Sequence, residues 1–287
     1  MTLGDADYPA SLLAIEDPPL MLYRMGLPAP APQRALAIVG SRNATPQGLQ
    51  NARRFARAFA EADVTVVSGL ALGIDGAAHE GALDGARADA MATIAVVGTG
   101  LDRVYPKQHL ELAHRIAERG MLLSEYPIGM PPLAENFPRR NRLISGLSQG
   151  TLVVEAALHS GSLITARMAA EQGKEVFAIP GSIHSPHARG CHALLRQGAK
   201  LVESAQDIVV QYYIGYRNRS NSPEPVLVYD TDYFQRFEPL TAGDALSTDR
   251  KGDAQCRKQP LRHEGHDDAG AEGQRIEERG LLKQRGQ

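Results

Sequence analysis

An arginine-rich segment, residues 137–148 (FPRRNRLISGLS), carries side chains suited to binding phosphates and bases. If the segment is helical, spacings of i,i+3 and i,i+4 place four polar side chains on one strip: Arg139, Asn141, Arg142 and Ser145. Such a strip suits phosphates, and Phe137 is available to stack on a base. A solvated helix face is the alternative for an isolated arginine cluster. The amide and hydroxyl interleaved with these arginines favour a binding surface.

Glycine-rich turns follow several predicted strands, at residues 40–42 (GSR), 68–75 (SGLALGID), 98–100 (GTG) and 180–182 (PGS). Glycine lets backbone N–H groups approach a phosphate, and the N-terminus of a following helix favours an anion. Tight-turn geometry is the alternative explanation for any one of them. Ligands of a doubly wound sheet bind beyond the carboxyl ends of its strands, so four such turns favour an anion site at that edge.

Familiar nucleotide and hydrolase motifs are incomplete. A dinucleotide fingerprint needs a third glycine where Arg103 stands, and a Walker A loop needs Ser or Thr where Glu175 stands. Residues 146–150 (GLSQG) match the serine-hydrolase elbow, which requires a strand before the serine and a helix after it. Here a predicted helix precedes Ser148 and a predicted strand follows it. We therefore expect no catalytic nucleophile at this serine.

Four potential metal ligands lie close together in the sequence: His184, His187, Cys191 and His192. Zinc sites of this kind need a matching second pair of ligands, which is absent, and residues 182–187 (SIHSPH) are typical of a turn. We therefore predict a loop here, and expect neither a metal nor another cofactor.

The elements that position these residues follow an alternating pattern between residues 35 and 202. Short apolar runs predict strands at 35–40, 64–69, 93–98, 121–124, 151–155, 176–179 and 199–202. Helical periodicity lies between them, at 46–61, 74–83, 107–118, 140–147 and 163–172. The strands are continuously apolar, which indicates a sheet covered on both faces. The predicted fold is α/β, a doubly wound, mostly parallel, Rossmann-like sheet.

Composition divides the chain into three parts. Residues 1–34 are proline-rich and form an N-terminal segment that we expect to pack on the sheet edge. Residues 35–212 form the Rossmann-like core. Residues 213–287 are polar and lack periodicity, so a disordered tail without a winged-helix pattern is expected.

Net charge, apolar runs and cysteine content limit the possible functions but do not identify one. A formal net charge of −2 gives no whole-surface attraction for polyanions, so nucleic-acid binding requires a local basic patch. The N-terminus does not resemble a secretory signal, and no run of 18 apolar residues occurs, so a cytoplasmic location is the expectation. The two cysteines, Cys191 and Cys256, are too few for a disulfide scaffold and are expected to be reduced.

Taken in order, these motifs resemble those of the DprA family of bacterial DNA-processing proteins, also called Smf. The resemblance covers residues 8–210 and rests on the segments 40–42, 68–75, 98–106 (GTGLDRVYP), 137–148 and 155–166 (EAALHSGSLITA). It implies a non-enzymatic homodimer that binds single-stranded DNA. It further implies loading of the RecA recombinase during natural transformation and recombination.

By the family pattern, the DNA-binding residues are Ser41, Arg42, Gly69, Gly73, Asn136, Phe137, Arg139, Arg140, Asn141, Arg142, Ser145, Gly161 and Ser162. Family members often carry a helical domain before the core and a winged helix after it. This chain begins almost at the core and so departs from that family pattern.

Two other functions stay open. Residues 149–151 (QGT) with Glu155 faintly resemble the nucleoside-monophosphate phosphoribohydrolases related to the cytokinin-activating LOG proteins, although the Pro-Gly-Gly lead-in is missing. The third possibility is an interaction module that carries a nucleotide-like ligand without processing it.

Overall fold

The computed structural model describes residues 1–28 and 32–210. An eight-stranded sheet, in the order β1-β5-β4-β3-β2-β6-β7-β8, organises this part of the chain. The strands are β1 Tyr23–Gly26, β2 Ala35–Val39, β3 Thr65–Ser68, β4 Thr93–Val97, β5 Met121–Ser124, β6 Gly150–Val153, β7 Glu175–Ala178 and β8 Lys200–Leu201.

All neighbouring strands are parallel except β1, which pairs with β5 in the antiparallel sense, Tyr23 opposite Ser124. The N-terminal segment therefore contributes an edge strand to the sheet. Every residue of β2, β3, β4, β5 and β6 is buried, as expected for strands covered on both faces.

Among the described residues, the helices that cover the sheet include α1 Pro46–Glu61, α2 Ile74–Gly85, α3 Leu110–Arg119, α4 Asn136–Leu147, α5 Ser162–Glu171 and α6 Arg189–Arg196. Helices α1, α2 and α3 bury their apolar sides on one face, where Phe55 and Phe59 of α1 form an edge-to-face pair. Helices α4, α5 and α6 cover the other face together with residues of the N-terminal segment, including Leu12.

The chain reverses its direction across the sheet at the boundary between β2 and β6. From β2 the chain moves to β3, β4 and β5 on one side, and from β6 it moves to β7 and β8 on the other. The loops that leave β2 and β6 diverge at such a switch point and leave a crevice at the carboxyl edge. The sheet order therefore identifies where a ligand site is expected.

The predicted fold class, a doubly wound and mostly parallel α/β sheet, is confirmed. The prediction of a loop over residues 184–192 is wrong for Cys191 and His192, which lie in α6, while His187 lies in the short 3-10 helix Pro186–Ala188. Strand β1 was not predicted. The tail assigned to residues 213–287 lies outside the described residues, and within them no helix is long and apolar enough to cross a membrane.

Candidate nucleic-acid interface

A cavity of about 470 Å³ opens at the carboxyl edge of the sheet, at the switch point between β2 and β6. Three stretches supply most of its wall: residues 39–43 after β2, the first half of α4, and residues 157–165 leading into α5. The volume lies in the range of ligand pockets, about 300–1,000 Å³. Position and size both mark this cavity as the candidate site.

An exposed cation and an aromatic ring meet at this cavity. The guanidinium carbon of Arg42 lies 5.7 Å from the ring centroid of Phe137, a cation–π contact. Arg42 forms no ion pair with any residue in the described part of the chain. Its charge is therefore available to an anionic ligand, while Phe137 offers a flat apolar surface beside it.

A second arginine, Arg140, lies in the wall of the cavity and is only 4% exposed. Its Nη1 donates to the carbonyl oxygen of Val96, and its Nε has no hydrogen-bond partner among the described residues. Burial lowers the pKa of Arg140 to about 10, so the side chain is still a cation at neutral pH. The cavity wall thus contains a buried positive charge with an unused donor.

Asp75 balances part of that charge. Its carboxylate accepts from the backbone N–H of Gly69 at 3.2 Å, and the side chain lines the cavity while only 7% exposed. Burial raises the pKa of Asp75, and the neighbouring charge of Arg140 opposes that rise. The carboxylate holds the turn after β3 in place rather than facing solvent.

The glycines of the turn after β3 act through packing. An added Cβ at Gly69 would lie 2.1 Å from a guanidinium nitrogen of Arg140. At Gly73, where φ is +78°, it would lie 2.2 Å from the carbonyl oxygen of Ser41. These glycines give room to the residues that form the cavity, and neither one lines it.

The N-terminus of α5 forms the remaining side. Gly161 is its N-cap, and the hydroxyls of Ser160 and Ser162 lie 2.7 Å apart at the cavity wall. The first N–H groups of a helix and its dipole favour a negative group. Together with Arg42, this helix end gives the cavity two anion-attracting sides.

The structure brings together one part of the predicted DNA-binding set around the cavity: Ser41, Arg42, Phe137, Arg140, Asn141, Gly161 and Ser162. The others are outside the lining: Gly69, Gly73, Asn136, Arg139, Arg142 and Ser145. Asn136 is buried and donates from Nδ2 to the carbonyl oxygen of Gly98 at 3.1 Å. For the residues outside the lining, a direct contact with DNA stays a prediction.

Ser145 and Arg142 support helix α4. The Oγ of Ser145 is fully buried and lies within hydrogen-bonding distance of backbone carbonyls of its own helix. Lys174 donates from Nζ to the carbonyl oxygens of Ser145 and Gly146, both at 2.7 Å, and burial lowers its pKa to about 8. Lys174 thereby caps the last turn of the helix from the loop after α5. Arg142 forms ion pairs with the carboxylates of Asp17 and Glu125.

Sequence reasoning missed several lining residues: Asn43, Asp75, His159, Ser160, Ile164 and Thr165. All but Asn43 belong to the motif segments 68–75 and 155–166, and Asn43 directly follows Arg42. The motifs therefore contained the signal. Their spacing could not show which members face the crevice.

The side chains invoked for other chemistry are engaged elsewhere. Glu155 accepts from the backbone N–H of Thr45 at 2.9 Å and from its hydroxyl at 2.5 Å, at the start of α1, and does not line the cavity. Ser148 is buried and donates to the carbonyl oxygen of Ile144, between a helix and a strand as predicted. Within the described residues, no cluster of His, Cys, Asp or Glu is placed to hold a metal ion.

Comparisons with known proteins agree with this fold. Protein Smf of Escherichia coli is 48% identical over 218 residues, which cover 76% of this chain and 57% of that protein. The X-ray structure of DNA processing protein A from Streptococcus pneumoniae matches with a TM-score of 0.69 at 44% identity, covering 74% of this chain and 73% of the other.

A second solved structure is that of DNA processing protein A from Helicobacter pylori, described for its unique single-stranded DNA binding mode. It matches with a TM-score of 0.66 at 32% identity and covers 75% of this chain and 96% of the other. This chain covers 57% of the E. coli protein, which is less than two thirds of its length. A family model matches residues 1–213. This chain belongs to the family of DNA recombination-mediator protein A.

Proposed function

We propose that this chain binds single-stranded DNA in the cavity at the carboxyl edge of its sheet. The observation that carries the proposal is the Arg42–Phe137 contact at that cavity, because it places a free cation and a stacking surface side by side. Proteins that bind single strands combine these two features, one for the phosphates and one for the bases.

The shape of the site favours single strands over duplex. Phe137 lies partly buried in the wall of a cavity, so a base must leave its stack to reach the ring. Bases of a duplex are stacked and paired, which hides the faces that an aromatic side chain needs. The H. pylori structure, which is described for its binding of single-stranded DNA, supports the same ligand here.

In the cavity, Arg42 and the N-terminus of α5 would contact phosphates, and Asn141 would offer an amide to a base edge. Arg140 would contribute its buried charge from the wall. Contacts from Arg139, Arg142 and Ser145 rest on the family resemblance alone.

The wider role proposed is that of a cytoplasmic homodimer that loads RecA onto single-stranded DNA during recombination and natural transformation. Family membership supports this role. We also propose that the chain acts without catalytic turnover. The engagement of Glu155 with Thr45, away from the cavity, disfavours a phosphoribohydrolase that would use that carboxylate.

A titration of the purified chain with labelled oligo-dT, the matching duplex and a mononucleotide tests the proposal. We expect tight binding of oligo-dT, weaker binding of duplex and little binding of the mononucleotide. Preference for duplex at equal length would contradict it. Release of free base from a nucleoside monophosphate would establish the enzyme instead.

A further inference from the structure

Tyr105 presents an aromatic ring at the surface beside the cavity. Its ring centroid lies 5.4 Å from that of Phe137, with the two planes tilted by 43°, and 46% of the residue is exposed. It does not itself line the cavity. Because the two rings are tilted, they do not stack face to face, and the exposed ring of Tyr105 is accessible from solvent.

The ring of Phe137, the member of this pair that lines the cavity, packs against the backbone. A Cβ added at Gly98 would lie 3.2 Å from Phe137, so this ring packs against bare backbone there. Arg42 occupies a second position around the same ring. Two flat groups therefore adjoin the ring of Phe137: the guanidinium of Arg42, which lines the cavity, and the ring of Tyr105, which lies outside it.

A cation stands close to the outer ring in the chain. Lys107 begins the short 3-10 helix Lys107–His109, two residues after Tyr105, and its side chain is exposed. It forms no ion pair with any described residue. The surface outside the cavity thus repeats the combination found within it, an aromatic ring with an uncompensated positive charge.

We propose that Tyr105 is a second base-stacking position, so that a single strand leaves the cavity across residues 105–107, with Lys107 contacting a phosphate. The proposal rests on the single-stranded DNA binding proposed above. It adds a path for the strand outside the cavity and a second nucleobase contact. A ring that served only to pack on Phe137 would leave DNA binding unchanged when replaced by another apolar side chain.

Tyr105→Leu tests this, since leucine keeps apolar contact with Phe137 but cannot stack on a base. With an oligo-dT of about 12 nucleotides, we expect the variant to bind about tenfold more weakly, the scale of one lost stacking contact. Tyr105→Phe should bind like the unmodified chain. Leu110→Ala is the matched control, because Leu110 is similarly exposed, at 50%, and is not aromatic. Thermal melting of each variant confirms that it is folded.

Abasic scanning makes the test specific. Each nucleotide of the oligomer is replaced in turn by an abasic site, and the unmodified chain should show two neighbouring positions where the missing base weakens binding. Tyr105→Leu should be insensitive at one of them. Lys107→Ala should lower the slope of log affinity against log salt by about 0.7.

If the unmodified chain shows one sensitive position, or Tyr105→Leu keeps both, then Tyr105 does not stack and the inference fails while single-strand binding stands. If the unmodified chain binds no oligo-dT at all, the proposed function fails and this inference fails with it.

Discussion

Arg142 donates from Nη2 to the carboxylate of Glu125 at 2.7 Å. A second carboxylate, that of Asp17, lies 3.2 Å from Nε, and only 16% of the arginine side chain is exposed. The arginine therefore joins three parts of the chain: helix α4, the loop after β5 and the N-terminal segment. An arginine held in this way stabilises the position of α4, the helix that carries Phe137 and Arg140 to the cavity.

Arg142→Ala should destabilise the fold. Removing the guanidinium leaves the half-buried carboxylate of Glu125 without its partner, and we expect a loss of about 1–3 kcal/mol in the free energy of unfolding. Urea unfolding monitored by circular dichroism measures it. Arg139→Ala is the control, because Arg139 is exposed and has no ion pair within the described residues. Equal stability of the two variants would show that the ion pairs contribute nothing.

Gly73→Ala should reduce both stability and DNA binding. Alanine disfavours φ of +78°, and its Cβ would lie 2.2 Å from the carbonyl oxygen of Ser41. The backbone of residues 41–42 would have to move, at a cost of about 2–4 kcal/mol. Gly161→Ala meets no atom within 4 Å and should melt close to the unmodified chain. A normal melting temperature for Gly73→Ala would contradict the close approach.

The strands could be predicted from apolar runs because strands covered on both faces are continuously apolar. The edge strand β1 lacks that signal, since Arg24, Met25 and Gly26 are all exposed. Its pairing with β5 depends on tertiary contacts that no local pattern shows. Helix α6 was missed for a related reason. It has eight residues, directly follows the short 3-10 helix Pro186–Ala188, and adjoins the turn-like residues 182–187 that favoured a loop.

In helix α4, residue spacing alone did not identify which side chains are buried. Spacing placed Arg139 and Arg142 on one strip, yet the burial of α4 follows the stripe that includes Leu143, Ile144 and Leu147. Arg140 lies three and four residues before the first two, so helical periodicity puts it on the inner side. That signal was present in the sequence. An arginine on an apolar stripe is rarely assigned to the interior, because burying it depends on partners such as Val96 and Asp75.

His79 should make the protein sensitive to acid. The side chain is fully buried, its Nδ1 lies 2.7 Å from the hydroxyl of Thr93, and its Nε2 has no hydrogen-bond partner among the described residues. Burial lowers its pKa to about 3, from an ordinary value of 6.5. Below pH 6.5 the unfolded chain therefore binds a proton at His79 that the folded chain does not bind. The free energy of unfolding falls as the pH drops from 6.5 towards 3.

The loss from this one group is about 1.4 kcal/mol per pH unit across that window. His79→Asn cannot titrate but keeps a polar atom near Thr93, so it isolates the contribution. Urea unfolding at pH 7 and pH 5 should show a smaller drop for the variant, by about 2 kcal/mol. Identical drops would mean that His79 is protonated in the folded state or is reached by water.

Arg42→Ala should weaken single-strand binding by about 1–3 kcal/mol, the scale of a charge-assisted contact, with the melting temperature unchanged. The side chain is exposed, has no ion pair within the described part of the chain, and contacts only the ring of Phe137 among aromatic groups there. Its removal leaves no buried partner unpaired. The slope of log affinity against log salt should fall by roughly 0.7, one phosphate's share for single strands.

Arg57→Ala is the matched control for this change. Arg57 is equally cationic and exposed, but it lies on α1 in an i,i+4 ion pair with Glu61 at 2.8 Å. Helix α1 packs on the opposite face of the sheet from α4 and α5, and Arg57 does not line the cavity. A loss of general positive charge would affect both variants alike. If Arg57→Ala lowers affinity and salt slope as much as Arg42→Ala does, the strand does not follow the Arg42 side of the cavity, because a local phosphate contact would weaken the Arg42 variant more.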